Sequence, residues 1–501
     1  MNVKKGKVII MGGGPGGTEN LTLKALYYLQ RADVVIYDRL IDKGILKECK
    51  PAAELIYMGK ELGEAIKQED INSLMRDKAK QGKLVVRLKG GDPFIFGRGG
   101  EEALYLAQND IPFLVVPGLS SAFAVPACAG IPLTMRGLSS SVTIVSGHKA
   151  NMTELNWEHL ATSETLVVLM GRSNMSEIAK ELLKRGLNPE TGFAIVSQGC
   201  TNAQKIIITD LNKVAEGEYN TYKFPSPTML IIGEVVKMGE QLNWMNRLPL
   251  AGVKVVVTTE DEKLSKLLIE EGAEVFSYPV ITVLPILNFP STAFLEELNQ
   301  FDWIIFTSKN GVKFFLDYLF RSGKDCRAFS NARIAVIGPA TYKTLESFGL
   351  RADFMPGSYT SESLVNEFPF SFKNLKFIIP GPQKPNLFLY QALVKEGAIV
   401  TQLPIYRVEA PLSASSEKEE LLAFLSSAPI ITFTSSSCVR NFFKLTSSFL
   451  SKKVVMKCPI AVIGPVSAES VRNFGFTPQI MADSYTLEGL VEAIKQWKKS
   501  G

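Results

Sequence analysis

The sequence predicts an α/β fold in two halves, the second of them built by internal duplication. Three observations carry this. Short apolar runs alternate with amphipathic stretches across all 501 residues. Glycine-rich loops follow the apolar runs of the first half. In the second half, one stretch of sequence returns at a nearly fixed offset. The alternation is the βαβ rhythm, which implies mostly parallel sheets covered by helices.

The first strand is expected at Val8-Ile9-Ile10-Met11, and a helix over Leu21 to Gln30. Val34-Val35-Ile36-Tyr37 and Leu84-Val85-Val86-Arg87-Leu88 read as further strands. A break falls near Asn246-Arg247-Leu248-Pro249-Leu250-Ala251-Gly252, and the rhythm restarts at Lys254-Val255-Val256-Val257. This places one domain over 1–245, a linker over 246–252 and a second domain over 253–501.

The duplication lies in that second domain. Trp303-Ile304-Ile305-Phe306-Thr307-Ser308 returns as Ile430-Ile431-Thr432-Phe433-Thr434-Ser435. Ile334-Ala335-Val336-Ile337-Gly338-Pro339 returns as Ile460-Ala461-Val462-Ile463-Gly464-Pro465, and Ser358-Tyr359-Thr360 as Ser484-Tyr485-Thr486. Offsets are 125 to 127 residues. A period this long means a duplicated domain, not a solenoid. Two α/β lobes enclosing a cleft are expected, over about 253–284 with 409–501, and over 285–408.

Composition narrows the function. With 46% hydrophobic and 21% charged residues the chain is neither disordered nor fibrous. A net charge of +5 is too mild for nucleic acid and suits a small polyanion held in local basic clefts. The six cysteines form no CxxC pair and read as reduced thiols, which implies the cytoplasm. Two histidines leave no expectation of a metal site or a histidine-based triad. Met1 to Lys7 starts basic, but Gly12 interrupts any signal-peptide apolar stretch. No window approaches the roughly 18 apolar residues of a membrane span.

Gly12-Gly13-Gly14-Pro15-Gly16-Gly17 follows the first strand and satisfies GxGxxG, with Asp38 ending the next strand. By spacing this passes a dinucleotide fingerprint, so an NAD(P)-dependent oxidoreductase stays open, beside a bare tight turn. Lys89 to Glu102, reading KGGDPFIFGRGGEE, shifts the balance. Five glycines among basic and acidic residues cannot form a core element. Such a loop lines a ligand site at a strand's C-terminal end. Arg87, Lys89, Arg98 and Arg136 could pair with substrate carboxylates.

Over about residues 6–245 the chain resembles uroporphyrinogen-III C-methyltransferases of the tetrapyrrole methylase family. The resemblance rests on Gly12 to Gly17, Tyr37-Asp38-Arg39-Leu40, Gly59-Lys60, Arg87 to Glu102, Val116-Pro117-Gly118, Ala129 to Thr134, Ser146-Gly147-His148 and Met170-Gly171. It implies a two-lobed methylase, usually dimeric, with S-adenosylmethionine as methyl donor. The cofactor would lie near Pro15, Gly90, Gly91, Asp92, Ile95, Ser120, Ser121, Met170 and Gly199. The family's proton acceptor maps onto Asp38 and its donor onto Lys60. The chain departs from the family pattern at Gly17, Glu61, Ser120 and Met135, and lacks a histidine between Gly63 and Gln68. These departures bear on substrate contacts more than on the cofactor.

Residues 250–501 resemble uroporphyrinogen-III synthase through Phe306-Thr307-Ser308, Ile337 to Thr341, Pro404-Ile405-Tyr406-Arg407, Phe433-Thr434-Ser435 and Gly464 to Glu469. The implied reaction closes linear hydroxymethylbilane into uroporphyrinogen III. Thr307, Ser308, Thr434, Ser435 and Ser467 would bind substrate, and Tyr406 would protonate the departing hydroxyl. Pro380 to Lys384 replaces an Arg-Gly that the family often shows. A two-lobed anion-binding module is the alternative for this half. No further domain for oxidation or iron insertion is visible, so sirohaem and cobalamin routes stay equally open.

Overall fold

The computed structural model describes residues 6–59, 67–286, 292–385, 387–409, 411 and 415–500. Lys60 and Glu61 therefore lie outside the described residues. The chain forms two compact units, Met1–Lys254 with Lys266–Val275, and Val255–Ser265 with Phe276–Gly501.

The first unit holds two sheets. β1 (Lys7–Gly12), β2 (Val34–Tyr37), β3 (Glu54–Tyr57), β4 (Leu84–Lys89) and β5 (Phe113–Val116) form a five-stranded sheet in the order β3-β2-β4-β1-β5. Every pairing in it is parallel. Val8, Ile9, Ile10 and Met11 are fully buried, as a strand covered on both faces requires. The first helix runs Leu23–Leu29, shorter than expected, because Thr22 caps it by accepting from the Ala25 N–H at 3.1 Å.

The second sheet departs from the parallel expectation. β6 (Thr143–Ser146), β7 (Thr165–Leu169), β8 (Gly192–Ser197), β9 (Lys205–Asp210) and β10 (Thr228–Gly233) run in the order β6-β7-β10-β8-β9. Only β6 and β7 pair in parallel; β10 is antiparallel to β7 and β8, and β8 to β9. The link from β8 to β9, residues 198–204, is too short for a crossover helix, so it must reverse the chain.

The second unit also holds two sheets. β11 (Lys254–Val257), β12 (Glu274–Ser277), β18 (Ile430–Phe433), β19 (Ile460–Val462) and β20 (Ile480–Met481) run in the order β12-β11-β18-β19-β20. β13 (Thr282–Pro285), β14 (Trp303–Phe306), β15 (Arg333–Val336), β16 (Lys376–Pro382) and β17 (Ile399–Glu409) run in the order β13-β17-β16-β14-β15. The paired strands β13 and β17 are antiparallel, with Pro285 opposite Tyr406.

The sequence repeat becomes a structural one. β14 pairs β15 and β18 pairs β19, both in parallel. Ser308 and Ser435 each cap the following helix at 3.1 Å, accepting from Gly311 and Cys438. The helices Pro339–Ser347 and Pro465–Asn473 each begin on the repeated Gly-Pro. No helix among the described residues is long and apolar enough to cross a membrane.

Candidate functional site

The glycine loop is bound into its neighbours by backbone. Gly13 donates to the Lys89 carbonyl at 2.7 Å, and Gly14 and Gly91 exchange hydrogen bonds at 3.2 and 3.0 Å. Gly12 has no room for a side chain: a Cβ there would lie 2.2 Å from the Gly91 oxygen and 2.6 Å from the Gly118 Cα. The loops after β1, β4 and β5 thus pack backbone against backbone. Asp92 fastens the same junction. Its Oδ1 accepts from Phe94 N–H at 2.8 Å and its Oδ2 from Gly118 N–H at 3.0 Å.

The second sheet brings its own loops to this junction. A Cβ on Gly16 would come 2.4 Å from the Cys200 oxygen, and one on Gly199 the same distance from Val125 in the helix Ser121–Cys128. Ser120 caps that helix, and a Cβ on Gly91 would meet the Ser121 hydroxyl at 3.0 Å. Pro15, Gly91, Asp92, Ser120, Ser121 and Gly199, all expected at the cofactor, therefore belong to one connected set of loops. Phe96, Arg98, Met170, Gln198 and Cys200 have left-handed backbone here. Such conformations cost free energy in non-glycine residues and cluster at functional sites. Met170 follows β7 and is 49% exposed, while Ile95 is also exposed. The thiols of Cys128 and Cys200, distant in sequence, lie 2.7 Å apart, and both are free.

Beneath the loops lies a buried network of four charges. Arg87 on β4 is 2% exposed. It donates to Asp38 Oδ1 at 2.7 Å and to Glu102 Oε1 at 3.1 Å. Lys89, two residues along the same strand face, donates to Glu102 Oε1 at 2.8 Å and stands 3.9 Å from Asp38 Oδ2. Gln68 adds a third donor to Oε1 at 3.1 Å. Glu102 is fully buried, whereas the Asp38 side chain is 30% exposed and forms the open end of the network. Burial works against the charge on Arg87, and Glu102 and Asp38 outweigh it. Burial, then the neighbouring Arg87, hold the Lys89 ammonium below its usual range.

So Arg87, expected to meet substrate, sits inside the domain and orients Asp38. Arg98 is exposed and engaged with Glu101 at 2.6 Å, and Arg136 is exposed. Glu102 and Gln68 escaped the sequence reading. A signal for Glu102 existed. Arg87 and Lys89 share one face of an otherwise apolar strand, and two buried cations demand nearby anions.

In the second unit Tyr406 is 5% exposed, stacks on Phe314 with ring centres 5.6 Å apart, and shares a 3.2 Å hydrogen bond with the Ser308 hydroxyl. Burial raises its pKa, against a smaller effect from Ser308, so the phenol stays protonated. Tyr406 and Thr307 line a cavity of about 440 Å³ with Ser361, Gly381, Gln383 and Tyr390. The unusual stretch Pro380 to Lys384 thus contributes to the cavity wall, and Gln383 donates to the Tyr406 carbonyl at 2.8 Å. Thr434 and Ser435 occupy the equivalent position in the repeat. Ser467 is buried within its helix. Among the described residues no cluster of histidine, cysteine and acidic side chains could hold a metal ion.

Comparison with known proteins completes the picture. Residues 7–215 match the family described as Tetrapyrrole (Corrin/Porphyrin) Methylases, and residues 262–492 match Uroporphyrinogen-III synthase HemD. The Porphyrin biosynthesis protein HemD of Ruminiclostridium josui is 32% identical over 502 residues, covering 98% of each chain. The Uroporphyrinogen-III C-methyltransferase of Methanocaldococcus jannaschii is 47% identical over 240 residues, which is 46% of this chain and 98% of that one. Among solved structures, a uroporphyrin III C-methyl transferase from Thermus thermophilus is 42% identical, with a TM-score of 0.42, covering 46% of this chain and 99% of its own. A Uroporphyrin-III C-methyl transferase from the same organism, 41% identical with a TM-score of 0.42, is known in complex with S-adenyl homocysteine. The family match over residues 7–215 and the relatives displace the dinucleotide reading of the glycine loop. The chain belongs to the family of this HemD porphyrin-biosynthesis protein, a uroporphyrinogen-III C-methyltransferase fused to a uroporphyrinogen-III synthase.

Proposed function

We propose that the second unit closes hydroxymethylbilane to uroporphyrinogen III and that the first unit methylates that product twice, giving precorrin-2. In this reading residues 246–252 link the two enzymes in sequence, although Lys266–Val275 belong to the first compact unit. The observation that carries the methyltransferase reading is the Asp38 carboxylate, held by Arg87 at the same end of the sheet from which the close-packed glycine loops leave.

S-adenosylmethionine fits the loops as methyl donor. A Cβ on Gly91 would press into the Ser121 hydroxyl, while one on Gly90 would meet only Leu40, at 3.4 Å, which keeps a backbone surface open to a ligand. Exposed Ile95 and Met170 supply apolar surface nearby. When bound, the group supplies an electrophilic methyl on a sulfonium. The chain's own part is to orient the acceptor pyrrole and to take on Asp38 the proton that the alkylated, cationic tetrapyrrole sheds from a bridging carbon or ring nitrogen. Of the four cations expected at substrate carboxylates, Arg98 and Arg136 are the exposed ones.

In the second unit, Tyr406 donates a proton to the departing hydroxyl of the bilane, and Ser308 fixes the phenol's direction. Tyr406→Phe keeps the stack on Phe314 and removes only the hydroxyl. Ring closure is expected to slow about tenfold with unchanged melting temperature, read as the ratio of uroporphyrinogen III to the spontaneously formed symmetric isomer. An unchanged ratio would leave Tyr406 as packing alone.

The whole reading is tested by one assay. Pure protein given hydroxymethylbilane and S-adenosylmethionine should yield a dimethylated tetrapyrrole by mass spectrometry. Formation of only the symmetric, unmethylated uroporphyrinogen would sink both halves.

A further inference from the structure

We propose that Glu102 is a positioning residue for methyl transfer, acting through its charge on Asp38 from inside the domain. This rests on the methyltransferase reading. Glu102 lies near the start of the helix Gly99–Gln108 and is fully buried. Its Oε1 accepts from Arg87, Lys89 and Gln68 at 3.1, 2.8 and 3.1 Å. Among the described residues its Oε2 has no hydrogen-bond partner.

A buried oxygen left unpaired costs about 1–3 kcal/mol, so this residue is not optimised for stability. Charge balance explains what it does instead. Arg87 and Lys89 are buried cations beside Asp38. Left uncompensated, they would stabilise the Asp38 carboxylate so well that it would be a poor base. Opposite charges within about 4–6 Å lower an aspartate's pKa by about 1–3 units. Glu102 neutralises one of the two cations and leaves Asp38 to balance the other. The four side chains then sum to zero, and Asp38 keeps a fixed direction. Arg98, at the N-cap of this helix, and Glu101 in its first turn also lie near this set, are exposed and pair with each other.

The unpaired Oε2 makes Glu102→Gln a clean probe. The amide oxygen can take the place of Oε1 with its three donors, and the amide nitrogen can take the place of Oε2, where no donor faces it. Shape and hydrogen bonds persist while one negative charge is lost. We expect kcat for methyl transfer to fall about tenfold, with KM for S-adenosylmethionine unchanged and S-adenosylhomocysteine binding retained in calorimetry. Removing a positive charge as well, in the pair Glu102→Gln with Lys89→Met, returns the network to zero. That double variant is expected to recover kcat to within about threefold of wild type.

A merely structural role predicts the opposite order, since two damaged core positions should be worse than one. Wild-type kcat in Glu102→Gln, or a double variant slower than Glu102→Gln, overturns the proposal. Should Glu102→Gln not fold, the double variant alone makes the test: its charge sum equals that of wild type, so its kcat must stay within about threefold of wild type. Wild-type protein that makes no methylated product would instead overturn the underlying methyltransferase reading.

Discussion

Asp38→Asn is expected to lower methyl transfer by about 10²- to 10⁴-fold while leaving S-adenosylhomocysteine affinity within about threefold of wild type. The two effects separate because Asp38 lies at the end of β2 and touches Arg87 and Lys89, whereas the loops that would hold the cofactor are built by Gly12, Gly91, Asp92 and Gly118. Asparagine keeps the side chain's shape, and its carbonyl oxygen can still accept from Arg87 at the position of Oδ1. What disappears is the capacity to take a proton. Single-turnover methylation by radiolabelled S-adenosylmethionine measures the rate, and calorimetry the binding. A variant within about fivefold of wild type in rate would remove Asp38 from the chemistry and leave it as a surface partner of Arg87.

Much of this site was legible in the sequence, and the reasons are physical. Glycines in the loops after β1 and β4 are demanded by backbone packing at Gly12 and Gly14 and favoured by left-handed backbone at Gly14 and Gly91. The repeat was legible because each lobe needs the same three things: an apolar strand, a serine cap and a Gly-Pro helix start. Both requirements are local, so they appear as local patterns.

What was illegible is non-local. The reversal of strands in the second sheet depends on β10 inserting between β7 and β8 after three intervening elements. Apolar runs buried on both faces read alike in either direction. Structural roles were hidden too: Asp92, expected at the cofactor, also joins two loops by accepting from their backbone N–H groups, and Ser308 and Ser435, expected at substrate, also cap helices. An oxygen used this way is still positioned at a strand's C-terminal end, but its lone pairs are partly committed. Arg87 misled most, because a charge after an apolar run is ordinarily a surface residue. Its burial depends on Glu102, which lies on another element and comes close only in the fold.

That burial sets the largest expected effect on stability. Arg87→Ala should destabilise the first unit by about 3–5 kcal/mol. The guanidinium is among the largest fully buried side chains and bridges Asp38 to Glu102. Its loss opens a cavity and leaves Glu102 with Lys89 as its remaining charged partner in the interior. Asp38, partly exposed, recovers some solvation, so the cost falls mainly on Glu102. For a domain of this size the melting temperature should drop by roughly 6–20 °C. The affected transition in calorimetry is the one that S-adenosylhomocysteine raises, since a ligand stabilises only the unit that binds it. Arg87→Lys should fall between the two, because an ammonium cannot span both carboxylates in the guanidinium's fork. A loss below about 1 kcal/mol in Arg87→Ala would mean that Lys89 alone suffices to hold Glu102, and that the four charges are not one cooperative unit.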